Sequence, residues 1–88
     1  MAKREIHDVT FDLIAAELKR ARAKFPGNEH LLAALMEEVG ELAQAYLKGN
    51  VSEARVEAIQ VACLAVRIIE EGDAEFERPD YVSTEPAP

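Results

Sequence analysis

Tryptophan is absent, aromatic residues make up only 6%, and cysteine occurs once, at Cys63, in the 88 residues. A single thiol excludes an intramolecular disulfide, which makes a reducing interior the simplest setting. Its place inside an apolar run reads as a small buried hydrophobe rather than a reactive nucleophile. No stretch approaches the ~18 uninterrupted apolar residues of a membrane span, and Lys3, Arg4 and Glu5 are not followed by an apolar signal segment, so the expected location is the cytoplasm, with no membrane partner. Basic residues are scarce, 10 against 17 acidic, and the formal charge of -7 disfavours extended contact with duplex nucleic acid. That balance leaves a free nucleotide open, because a small anion needs only a bound metal and one or two local cations. There is no glycine-rich phosphate loop, no Ser/His/Asp set and no zinc pattern. His7 and His30 stand at expected helix starts without a second ligand at metal spacing and read as surface or capping residues.

What is present is helical. Apolar residues reach 49% with few aromatics, so the core must come from Leu, Ile, Val and many Ala. Ile6, Val9, Leu13, Ile14, Leu18, Ala21 and Phe25 recur at helical spacing and predict a first amphipathic helix from about Asp8 to Lys24, ended by Pro26-Gly27-Asn28. Asn28 is expected to cap a second helix carrying Leu32, Leu35, Met36, Val39, Leu42, Ala43 and Tyr46, which stops after Lys48 at Gly49-Asn50. Ser52 reads as the N-cap of a third helix that runs to Glu71 and ends at Gly72. Tyr46 and Phe25 read as core fillers, with base stacking at a pocket mouth as the alternative. The expected fold is all-α, three to four helices, with residues 1–74 as one helical domain and 75–88 as an extended strap and disordered tail.

The third helix is apolar almost throughout from Ala54 to Ile69, which marks a helix covered on all sides. A chain this short buries only about 60% of its unfolded surface, so a helical oligomer is expected to supply the cover. Glu57, Gln60 and Arg67 interrupt that helix within an arc of roughly 80°. Burying such groups without partners costs several kcal/mol, so the stripe must line a polar pocket or interface. On the second helix Glu38 and Glu41 share a face with the small residues Ala34 and Ala45 one turn away, while Glu37 points more toward solvent. Glu-x-x-Glu pairs are ordinarily solvated surface. Here a mid-helix glycine, Gly40, costs ~1 kcal/mol relative to alanine and implies close helix approach or ligand access. Two oxygen-bearing pairs on neighbouring helices, Glu38 with Glu41 and Glu57 with Gln60, are the donor set of a hard cation, Mg²⁺ or Mn²⁺.

The segment Leu35-Met36-Glu37-Glu38-Val39-Gly40-Glu41-Leu42-Ala43-Gln44-Ala45, followed by Glu57-Ala58-Ile59-Gln60, resembles the MazG-like all-α nucleoside triphosphate pyrophosphohydrolases. Their hallmark is Glu-Glu-x-x-Glu on one helix and Glu-x-x-Asp on the next, and the resemblance covers about Lys24 to Asp73. It implies a MazG-like helical bundle completed as a homodimer or homotetramer. It also implies metal ligands at Glu38, Glu41 and Glu57, with Gln60 where the family has an aspartate, a departure that removes one negative charge from the site. Glu37 and Glu38 take the catalytic positions, with Glu37 as an outer-sphere residue or an aid to the attacking water. The implied substrate is a nucleoside triphosphate, with water attacking the α-phosphorus and pyrophosphate leaving. Arg67 is a candidate phosphate contact or else a structural ion pair, and Lys24 is a second candidate for an anion; Lys48 reads as a solvated helix end. The competing expectations are a catalytically silent relative that binds nucleotide or protein, favoured by Gln60, and a plain helical interaction module whose glutamates face solvent.

Overall fold

A computed structural model describes residues 4–81. Those residues are helical and contain no strand: α1 spans Ile6–Lys24, α2 Leu31–Leu47, α3 Val51–Glu71 and α4 Ala74–Glu77. No described helix is long and apolar enough to cross a membrane. The all-α class therefore matches the periodicity. The strap expected from Glu75 begins instead within the helical turn of α4, and the tail expected over residues 82–88 lies outside the described residues.

Among the described residues, α1 and α2 each pack on α3 rather than on each other. The short turn at Lys48-Gly49-Asn50 folds α3 back antiparallel to α2. Gln60 meets Glu17, and Arg22 meets Glu70 and Glu71, so α1 runs in the same direction as α3. This arrangement leaves little interior. Among the described residues, only Leu31, Ala45, Ala54 and Cys63 are buried apolar residues. Burial raises the Cys63 thiol, as befits a small hydrophobe packed in the core.

The helix starts differ from the expected caps. Asn50 rather than Ser52 caps α3: its Oδ1 accepts from the Glu53 backbone N–H at 3.0 Å, and its Nδ2 donates to the Glu53 carboxylate at 3.0 Å. This reciprocal pair satisfies an orphan donor and draws the helix start forward, so that Ser52 falls inside the first turn. Asn28 does not cap α2. Its Nδ2 donates to the Glu71 carbonyl at 2.8 Å and so closes the far end of α3. The cap of α2 comes from 41 residues away, where the buried Asp73 accepts from the backbone N–H of Leu32 at 2.8 Å and of His30 at 3.3 Å. Asp73 also caps α4 through Glu75 N–H at 2.9 Å. Burial pushes the Asp73 carboxyl up, and the donors of Leu32, Glu75 and His30 together outweigh it and hold it low. Gly72 ends α3 at φ +68 and ψ -167, a backbone conformation that residues with a Cβ rarely adopt, which is why glycine stands there.

Arg67 ties the same end of the molecule together. It is 2% exposed. Its Nε and Nη2 donate to the two oxygens of Glu71 at 2.9 and 3.0 Å, and Nη2 also donates to the Gly27 carbonyl at 3.0 Å. Glu71 is shared with Arg22 of α1 at 2.8 Å. The buried stripe residue is thus satisfied by a carboxylate of its own helix and by the turn between α1 and α2. The covering expected on all sides of α3 is not supplied within one chain: Val56 is 56% and Ile69 82% exposed, and α1 leaves Ile6, Val9, Leu13 and Phe11 on the surface.

The Arg67 guanidinium, opposed by burial and aided by Arg22, holds Glu71 down at about 2, against 4.5 for a free carboxyl. A carboxyl lowered on folding stabilises the native state fully above pH 4.5, and that stabilisation is lost as pH falls toward 2. Arg67→Ala leaves the Gly27 carbonyl without this donor and Glu71 with Arg22 alone, and is expected to lower the unfolding free energy by about 2 kcal/mol. It should also blunt the loss of stability on acidification; urea titrations at pH 7, 4.5 and 3 check both effects.

Candidate metal centre

The hairpin of α2 and α3 brings three carboxylates together. Glu38 and Glu41 stand three residues apart on one face of α2, and Glu57 stands opposite on α3. One oxygen from each lies within 4.8 Å of the others. At an effective dielectric near 20, unit charges at that spacing repel by about 3 kcal/mol per pair. Two oxygens, Glu38 Oε2 and Glu57 Oε2, are buried and have no hydrogen-bond partner. An ionised carboxylate oxygen can only accept, so these two atoms are satisfied by a proton or by a cation.

The electrostatics take the proton route when no cation is present. Glu57 beside it, together with burial and Glu41, raises the Glu38 carboxyl to about 7. Glu41 is raised too, chiefly by the charge of Glu57. The donor set consists of hard oxygens only, and the two orphaned atoms are the ones a divalent cation would satisfy. By donor chemistry and by these unmet acceptors, the residues fit Mg²⁺ or Mn²⁺.

Glu38 also lines a cavity of about 310 Å³ between the helices, with Gln60, Arg20, Phe25, His30 and Arg67 on its walls. That volume suits a small ligand. His30 stands at its rim with φ 66, in the left-handed region, as the N-cap of α2. Gly40 is on the surface, and a Cβ there would meet nothing within 4 Å. The close helix approach expected from this glycine is therefore absent within the chain.

The other candidate residues fall as follows. Glu37 is exposed and outside the carboxylate group, though its charge adds to the rise of Glu41. Gln60 lines the cavity, but its amide nitrogen is turned to α1, where Nε2 donates to Glu17 Oε1 at 2.8 Å. Arg67 lines the cavity with Nε and Nη2 committed to Glu71 and Gly27. Lys24 is exposed, its ammonium 5.4 Å from the centre of the Phe25 ring, and it does not line the cavity. The residue that sequence reasoning missed is Glu17. Its i,i+3 spacing to Arg20 reads as a surface ion pair, and nothing local reveals that α1 lays it against Gln60, 43 residues on.

A carboxyl raised on folding stabilises the native state below its unfolded value and loses that contribution as pH rises through the folded one. In chelator, stability is therefore expected to decline between pH 4.5 and about 8 as Glu38, at about 7, gives up its proton. Glu38→Gln should remove most of this decline, which Tm measured across the range will read.

No protein-family model, no curated protein and no solved structure matches the chain.

Proposed function

We propose that the chain is a Mg²⁺-dependent nucleoside triphosphate pyrophosphohydrolase of the MazG-like kind, converting a triphosphate and water into a nucleoside monophosphate and pyrophosphate. The observation that carries this reading is the convergence of Glu38, Glu41 and Glu57 within 4.8 Å, with two buried oxygens lacking partners, beside a cavity that shares Glu38. Glu38, Glu41, Glu57 and the Gln60 carbonyl would hold Mg²⁺, with Mn²⁺ as an alternative. When bound, the ion neutralises phosphate charge and stabilises the charge that develops as pyrophosphate leaves. Glu37, outside the carboxylate group but close enough for its charge to act on Glu41 and open to solvent, would serve to orient a water. Arg67 shapes the cavity wall, since most of its donors are bonded within the protein. Lys24 is left to meet the far end of an anionic substrate. The exposed apolar residues of α1 and α3 support assembly as a homodimer or homotetramer in the cytoplasm.

One observation favours a second reading, a silent relative that binds nucleotide or protein. Gln60 is uncharged and its nitrogen is engaged by Glu17, so the site carries three carboxylates where the family pattern has four. A screen of canonical and damaged triphosphates with Mg²⁺ or Mn²⁺, read as released pyrophosphate, separates the two. The expected outcome is turnover of at least one triphosphate, reduced about a hundredfold or more by Glu38→Gln or Glu41→Gln. Absence of turnover in the native chain together with its appearance in Gln60→Asp would establish the silent reading.

A further inference from the structure

Gln60 touches two different surroundings. It lines the cavity that contains Glu38, and it also lines the groove between α1 and α3 that contains Glu17 and Arg20. Its amide has a donor end and an acceptor end, and a cation tolerates only the acceptor. An ionised carboxylate, conversely, accepts only, so the atom that faces Glu17 at 2.8 Å must be the nitrogen. Glu17 is itself pinned: Arg20 Nε donates to its Oε2 at 3.0 Å and Arg20 Nη2 to its Oε1. Two anchored oxygens from α1 therefore fix which way round the Gln60 amide sits.

Resting on the metal-dependent reading above, we propose that Glu17 is a positioning residue that acts through Gln60. By holding Nε2, it turns the carbonyl oxygen away from α1 and leaves that oxygen as the atom offered to a cation at Glu57. A carboxylate bound to the amide nitrogen also polarises the amide and places more negative charge on the carbonyl oxygen, so part of the charge that a glutamine lacks is restored from a neighbouring helix. Glu17 is not one of the carboxylates gathered within 4.8 Å; its effect passes through the amide. Without it the amide is free to flip, and its nitrogen would then point at the ion.

The test measures Mn²⁺ binding by calorimetry, with no nucleotide present, in the wild type and in Glu17→Ala, Glu17→Gln, Gln60→Ala, Glu17→Ala/Gln60→Ala and Glu38→Gln. Loss of such a support is expected to weaken binding by about 10- to 100-fold in Glu17→Ala. Glu17→Gln retains a carbonyl acceptor for the amide and should bind more tightly than Glu17→Ala. In the Gln60→Ala background, Glu17→Ala should change nothing further. Full affinity in Glu17→Ala, or an equal loss with and without Gln60, would overturn the proposal. Should Glu17→Ala fail to fold, the wild type decides: the Gln60 side-chain amide is expected to be protected from hydrogen exchange and to shift on adding Mg²⁺, and an unprotected or unresponsive amide sinks the idea. Glu38→Gln separates the two claims. If it loses Mn²⁺ while Glu17→Ala keeps it, only the role of Glu17 falls; if the wild type binds no Mn²⁺, the metal reading falls and takes this one with it.

Discussion

The register of α2 against α3 depends on the guanidinium of Arg67, buried where the ends of α1 and α3 meet the start of α2. Through Glu71 it reaches Arg22 of α1, and through the Gly27 carbonyl it reaches the turn into α2. Asp73, just beyond Glu71, holds the first turn of α2 by two backbone donors. A chain with so few fully buried apolar side chains has little hydrophobic area with which to set helix positions. Charged hydrogen bonds, directional and strong in partly dry surroundings, take over that task at one end. At the other end, around the Gly49-Asn50 turn, the buried Ala45 and Ala54 let the two backbones come close. The hairpin is thus held at both ends, and Glu38, Glu41 and Glu57 lie in the span between.

That placement explains how three like charges are kept together. Each pair of carboxylates at this spacing opposes the hairpin by a few kcal/mol, comparable with what one buried ion pair contributes when its partner is kept. Helix packing and the Arg67 tie supply the opposing stabilisation, and a proton on Glu38 or a divalent ion relieves the remainder. Groups held against their own repulsion, with unmet buried acceptors, make the cluster a candidate for a proton or a cation as its stabilising partner. Glu38 Oε2 and Glu57 Oε2 are turned inward, whereas Glu41 is exposed, so the cluster has a buried side formed by two of the three carboxylates and an open side at the third.

The helices were legible because the 3.6-residue period and the Gly/Pro punctuation act locally. α1 ends at Lys24, just before the Pro26-Gly27-Asn28 turn expected to end it, and Gly72 closes α3 at a positive φ. The meeting of Glu38, Glu41 and Glu57 was legible for a related reason: spacing of three places a pair on one face, and a short turn makes neighbouring helices antiparallel. What was not legible acts at a distance. Asn28 carries the right side chain to cap α2, but Asp73 outcompetes it because two carboxylate oxygens and burial make a stronger acceptor than one amide. Asn50 displaced Ser52 through a reciprocal bond with Glu53 that a single-residue preference does not register. Of the two readings of Gly40, close helix approach or ligand access, the open space beside it removes the first within the chain. Glu17 carried no local signal, since only the packing of α1 on α3 sets it against Gln60.

The contact between Glu17 and Gln60 also accounts for the amide at position 60. An aspartate there would put a second carboxylate near Glu17, and at about 4 Å such a pair repels by about 4 kcal/mol at an effective dielectric of 20. Glutamine removes that repulsion, because its amide donates to the α1 carboxylate and keeps a carbonyl oxygen free to accept. Charge absent from the residue itself is then present one hydrogen bond away, on a side chain that Arg20 keeps ionised: the Arg20 guanidinium lowers Glu17 against the opposing effect of burial, and the Gln60 amide adds to the lowering. Seen this way, positions 17 and 60 form one unit. A carboxylate at 60 suits a neutral or absent partner on α1, whereas an amide at 60 gains from a charged one, so an acidic residue at 17 and glutamine at 60 are the mutually consistent pair in this fold.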